Sequence, residues 1–163
     1  MKKLQVGMIG GGGDQSFFGA VHRRAIALDD TRSVTAGALR HRPEDALAAA
    51  EEWGIKGYGD YTMLLDAVVN GDEPLDYVTI TTPNFVHYEQ AKAFLENKIP
   101  VVCEKPMTMT VEEAEHLGRV AAKNDVPFIL AHTYTGHPMM MHARVLVQGG
   151  EIGDVRKVES TKL

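Results

Sequence analysis

The sequence holds a single cysteine, Cys103, so no disulfide can close within the chain. A reducing, cytoplasmic setting is therefore expected. There is no run of about 20 apolar residues, the length that a membrane span needs. The apolar stretch after Met1-Lys2-Lys3 is too short for the core of a signal peptide. No five basic residues stand together, and 17 Lys and Arg face 22 Asp and Glu, for a net charge of −5. Binding to nucleic acid calls for an extended basic face. Neither nucleic acid nor membrane is expected as a partner. Internal repeats and low-complexity segments are absent too.

What is present is an ordinary globular composition, 44% hydrophobic and 24% charged over 163 residues. Short apolar runs at 4–9, 34–39, 57–58, 77–81, 101–103 and 128–131 predict strands. Between them, segments of helical period at 20–28, 43–53, 61–69, 84–96 and 111–123 predict helices. The strands are rich in Val and Ile and do not alternate with polar residues, which suits a parallel sheet buried on both faces. Thr110 and Glu113 form a capping-box pair, and Pro43 suits a first helical turn. The expected fold is α/β, a doubly wound parallel sheet. After Ala131 the rhythm changes, with a helix expected at 137–148 and a strand at 155–162.

The first strand runs into four glycines, Gly10 to Gly13. A dinucleotide-binding turn uses glycines so that the backbone can approach the pyrophosphate, whose charge then faces a helix N-terminus. Gly10 and Gly12 match that spacing, with Gly13 beside them. The third glycine of the fingerprint is displaced to Gly19, as though residues were inserted before the helix. The alternative is a plain surface turn. Cofactor type is read at the end of the second strand, where an acid favours NAD and a base holds the 2′-phosphate of NADP. Here the strand continues Arg40-His41-Arg42, and no carboxylate appears before Glu44. NADP is preferred and NAD possible, unless the basic turn is simply solvated.

The motifs Ile9-Gly10-Gly11-Gly12 with Val21-His22, Thr82-Pro83-Asn84 with His87, Glu104-Lys105-Pro106, and His132-Thr133-Tyr134 resemble the glucose–fructose oxidoreductase/inositol dehydrogenase (Gfo/Idh/MocA) family. The resemblance runs along essentially the whole chain. It implies an NAD(P)-binding Rossmann domain over residues 1–135, with 136–163 as the helix and first strand of a substrate domain. It further implies oxidation or reduction of a sugar, an inositol or a related polyol. Lys105 matches the family's catalytic-site lysine, between Glu104 and Pro106, and the Lys-Pro bond is often cis in that family. Thr82, Pro83 and Asn84 match backbone that lines the cofactor, and His132 and Tyr134 match a segment near the substrate.

Each position also has a plainer reading. Lys105 could anchor a phosphate, Asn84 could cap a helix, and His87 either faces the cleft or packs. His132 and Tyr134 could lie at a domain junction. No metal site is expected, because His137 and His142 lie on poorly aligned helix faces without a nearby carboxylate. Met139-Met140-Met141 reads as packing, and Cys103 as buried strand filler. The terminal strand, unpaired in its own chain, is expected to fray or to pair with a second copy. The leading function is the nucleotide-binding portion of a polyol dehydrogenase, with little turnover alone; the alternative is a non-catalytic dinucleotide-binding or sensor module.

Overall fold

Successive residues of the first strand point to opposite faces of the sheet, and both faces are covered. Met8 packs with Leu39, Ala49 and Ala50 on one side, while Ile9 joins Val78, Ile80, Phe94 and Leu117 on the other. In a computed structural model of the chain, which describes residues 2–13, 16–159 and 161, six strands form one parallel sheet. They are β1 (Leu4–Ile9), β2 (Arg32–Ala38), β3 (Lys56–Gly57), β4 (Tyr77–Ile80), β5 (Val101–Glu104) and β6 (Phe128–Ala131). Their order is β3-β2-β1-β4-β5-β6, so the winding reverses between β1 and β4. Ligands bind at such a switch point, outside the carboxyl ends of the strands.

The helices are α1 (Phe17–Ala27), α2 (Pro43–Trp53), α3 (Tyr61–Val69), α4 (His87–Glu96), α5 (Val111–Asn124) and α6 (Pro138–Gln148). Several begin where side chains can serve orphan N–H groups. Pro43 stands in the first turn of α2, and the Thr110–Glu113 capping box opens α5. Ser16 caps α1, which starts three residues ahead of the expected position, by accepting from the Gly19 N–H at 3.3 Å. A 3-10 turn over Asn84–Val86 leads into α4, so Asn84 is the first residue of that turn and not its cap. None of the helices is long and apolar enough to cross a membrane, among the described residues.

Two units are distinguished, Met1–Ala131 with the whole sheet and His132–Leu163. The second holds α6, opened by the ring of His137, which accepts from the Met139 N–H at 3.2 Å. The strand expected at 155–162 does not form: residues 155–159 are exposed and irregular, while Ser160, Lys162 and Leu163 lie outside the described residues. Val155 and Val158 stand three apart, which puts them on opposite sides of an extended chain and leaves no apolar face to bury.

Candidate functional site

The glycine turn between β1 and α1 is backbone-built. Gly10 and Gly11 adopt φ of +78° and +88°, the left-handed region that only glycine enters without strain. A Cβ on Gly10 would stand 2.8 Å from Thr82, and one on Gly11 would stand 2.6 Å from the end of Met8. Gly12 is held against the end of β2, where a Cβ would meet that of Leu39 at 2.6 Å. Gly13 meets nothing within 4 Å. The displaced third glycine, Gly19, presses α1 directly on the Gly11 backbone. Asp14 and Gln15, between them, lie outside the described residues.

Beside this turn a cleft of about 940 Å³ opens across the switch point. Gly10 and Gly11 form its floor, Leu39, Arg40 and His41 from the end of β2 one side, and Thr82, Pro83, Phe85 and Gln90 the other. The volume, the apolar walls and the convergent polar groups suit an elongated ligand. A smaller cavity of about 460 Å³ lies against Gly12, Gly13, Arg23, Arg24 and Trp53. It does not reach the ends of β1 and β4, so we place the site in the larger cleft.

Charges around the cleft are mixed. Arg40 reaches back to the glycine turn, its Nε donating to the Gly12 carbonyl at 2.8 Å. Arg42 lies outside the lining, so Arg40 and His41 are the bases that face the cleft. Asp60 caps α3, and the Thr62 hydroxyl and the Met63 N–H hold its carboxyl below the usual carboxylate range. Thr82 Oγ1 donates to Gln90 Oε1 at 2.6 Å.

Six expected cofactor residues stand outside this lining: Gly12 and Gly13, which line the smaller cavity instead, and Asn84, His87, Glu104 and Lys105. His87 is fully buried, with Nε2 2.8 Å from the Thr82 carbonyl and Nδ1 2.8 Å from that of Pro106. Its ring fastens the cleft wall to the lysine turn and does not face the cleft. Glu104 is 5% exposed and also turned inward. Its Oε1 accepts from His22 Nε2 at 2.9 Å and its Oε2 from the Lys105 N–H at 2.9 Å. The Lys105–Pro106 bond is cis, and the Lys105 side chain is exposed, with Nζ 5.1 Å from the centre of the Phe18 ring. Burial, and the Glu104 charge second, push the Cys103 thiol up to about 12, so it is inert filler. His132 and Tyr134 belong to the second unit, where both are exposed.

Sequence reasoning named Gly11 only within the glycine run and the family motif, not as a site residue, and passed over the cleft residues Asp60, Tyr61, Phe85 and Gln90. Asp60 carried a readable signal, since an acid just before a helical run caps it. His22 was noted only as part of a motif, not as the partner of Glu104 and Thr79.

A family model described as the oxidoreductase family, NAD-binding Rossmann fold, matches residues 4–132. Levoglucosan dehydrogenase of Pseudarthrobacter phenanthrenivorans is 30% identical, over 100% of this chain and 42% of its own length. The crystal structure of an oxidoreductase from Sinorhizobium meliloti is 42% identical, with a TM-score of 0.87 over 96% of this chain and 44% of that one. An inositol dehydrogenase homolog from Azotobacter vinelandii, complexed with NADH and myo-inositol, is 32% identical, with a TM-score of 0.89 over 95% and 41%. The chain spans about two-fifths of the length of the curated relatives it matches.

Proposed function

Because this chain belongs to the oxidoreductase family with an NAD-binding Rossmann fold, we propose that it is the nucleotide-binding portion of a sugar, inositol or related polyol dehydrogenase that prefers NADP. The observation that carries this reading is the left-handed Gly10-Gly11 turn at the sheet's switch point, with α1 pressed on it through Gly19. Phosphates are held where side-chain-free backbone meets a helix N-terminus, and this turn brings the two together, although the Gly10 and Gly12 N–H groups themselves donate to the Ala38 and Leu39 carbonyls. Side chains larger than hydrogen are excluded at Gly10, Gly11 and Gly19 by atoms under 3.0 Å away. Arg40 and His41 at the end of β2 suit the 2′-phosphate of NADP.

Bound NADP would supply or take the hydride. Lys105 would exchange a proton with the substrate oxygen, since its ammonium is exposed beyond the end of β5. Residues from 136 onward would open a substrate domain that positions the polyol and keeps out water, and the first unit alone would turn over little. His132 and Tyr134 would stand near that substrate.

Nicotinamide fluorescence titration tests the binding half: NADPH should bind more tightly than NADH, and equal affinities would refute the preference. Turnover tests the chemical half. In the full-length protein Lys105→Met should lower turnover by roughly 10²–10⁴-fold while cofactor affinity holds. Binding of NADPH without turnover on any polyol would favour a sensor module instead.

A further inference from the structure

Lys105 is gripped from one helix at two points. Phe18 and His22 stand four residues apart on α1, hence one above the other on the same side. The ring of Phe18 lies under the Lys105 ammonium, 5.1 Å from Nζ to the ring centre. His22 reaches the lysine's backbone through Glu104, whose two oxygens accept separately from His22 Nε2 and from the Lys105 N–H, each at 2.9 Å. The other ring nitrogen, Nδ1, lies 2.8 Å from Thr79 Oγ1 on β4. With Nε2–H donating to the carboxylate, the Thr79 hydroxyl donates to Nδ1, and every partner is satisfied by one neutral tautomer.

We propose that Phe18 and His22 are positioning residues for Lys105, Phe18 setting its ammonium and His22, through Glu104, its backbone. The proposal rests on the reading of Lys105 as the proton carrier. A lysine ammonium sits on a flexible four-carbon stem, and its attraction to an aromatic face narrows the positions it visits. Phe18 is 40% exposed, which is more than core packing needs, and the cation above it supplies a reason for the ring. Glu104 is buried with both oxygens engaged, so its carboxylate cannot swing away from the turn. The helix that opens on the glycine turn is thus the one that aims the lysine. Residue 19, between the two gripping positions, is the glycine pressed on Gly11. Docking of the pyrophosphate and placement of the proton carrier share one rigid element.

Nuclear magnetic resonance on the unsubstituted chain reads both grips. The ε-methylene protons of Lys105 should be displaced upfield of the other lysines by the Phe18 ring current, and Phe18→Leu should return them to the common position. The His22 ring should carry its proton on Nε2 and none on Nδ1. Exchange of the Lys105 amide should rise at least tenfold in His22→Leu and be largely restored in His22→Gln, whose amide can still donate to Glu104. In the full-length protein, Phe18→Leu should lower kcat several-fold and leave the NADPH affinity as it was. A Lys105 methylene at the ordinary position in the unsubstituted chain, or a His22 proton on Nδ1, overturns the proposal even if a histidine variant fails to fold. Lys105→Met separates the two readings: retained turnover with displaced resonances removes the lysine's chemistry and keeps its placement. Undisplaced resonances with turnover lost do the reverse.

Discussion

A Cβ built on Gly19 would stand 2.2 Å from the carbonyl oxygen of Gly11, closer than any real side chain approaches. Backbone of helix and turn are in contact there, and neither has a flexible tip that could give way. Gly19→Ala should therefore push α1 off the turn, destabilising the protein by about 1–3 kcal/mol and weakening dinucleotide binding at least tenfold. Gly13 supplies the control, because its Cβ would meet nothing within 4 Å. Gly13→Ala should leave the denaturant midpoint nearly unchanged. Equal effects from the two substitutions would contradict the packing account.

Arg40 has two duties in this structure, facing the cleft and bonding the Gly12 carbonyl. Arg40→Asp is expected to erase or reverse the proposed preference for NADPH and to loosen the glycine turn as well. Arg42→Asp, outside the cleft lining, should change the ratio of affinities much less. Added salt should weaken NADPH more than NADH in the unsubstituted chain, because the extra phosphate makes the added contact ionic. Titrations at two ionic strengths decide the matter.

Replacement of His87 removes a buried cross-link. The Thr82 and Pro106 carbonyls both face its ring at 2.8 Å; one ring N–H serves one carbonyl, and leaving a part-buried acceptor without its donor costs about 1–3 kcal/mol. His87→Leu fills much of the space and donates to neither carbonyl. Urea unfolding should show a loss of about 1–3 kcal/mol, with smaller loss in His87→Gln, whose amide can still donate. A leucine variant as stable as the parent would show that the cross-link is idle.

Acid should act through the cap of α3. The Asp60 carboxyl is held below its ordinary value of 3.8 by the Thr62 hydroxyl first and the Met63 N–H next. Its folded-state pKa is thus the depressed one. The stabilisation is present above the unfolded value and fades as pH falls below 3.8 through the folded value. Asp60→Asn keeps an acceptor at the cap, so stability at neutral pH should change by only a few tenths of a kcal/mol. The variant should then lose less than the parent as pH falls below 3.8. Parallel losses in both proteins would place the acid sensitivity elsewhere.

Most of the sheet was legible because its signals are local. Unalternated apolar runs mark strands covered on both faces, and Pro43 and the Thr110–Glu113 pair mark helix starts with side chains of their own. Helix α1 was placed three residues late, since Ser16 caps it from within a stretch of glycine and polar residues that carries no period. The glycine turn could be read, but not which glycines enter the left-handed region. The linkage of Thr79, His22 and Glu104 could not, because 57 and 82 residues separate the partners and only the folded sheet brings them together. The terminal strand failed for another reason. Two valines three apart resemble a strand by composition, yet an extended chain sends them to opposite sides.

One imidazole, that of His87, stands between the carbonyl of Thr82 on the cleft wall and that of Pro106 in the lysine turn, 2.8 Å from each. On the proposed reading, affinity for the nucleotide and speed of the reaction would therefore not be independent traits. A substitution at Thr82 or Pro83 selected to improve grip on a cofactor would displace a shared anchor and alter turnover with it. Laboratory selection for a new cofactor should then stall unless a second, compensating change arises beside Pro106, and such pairs are the ones to look for among evolved variants.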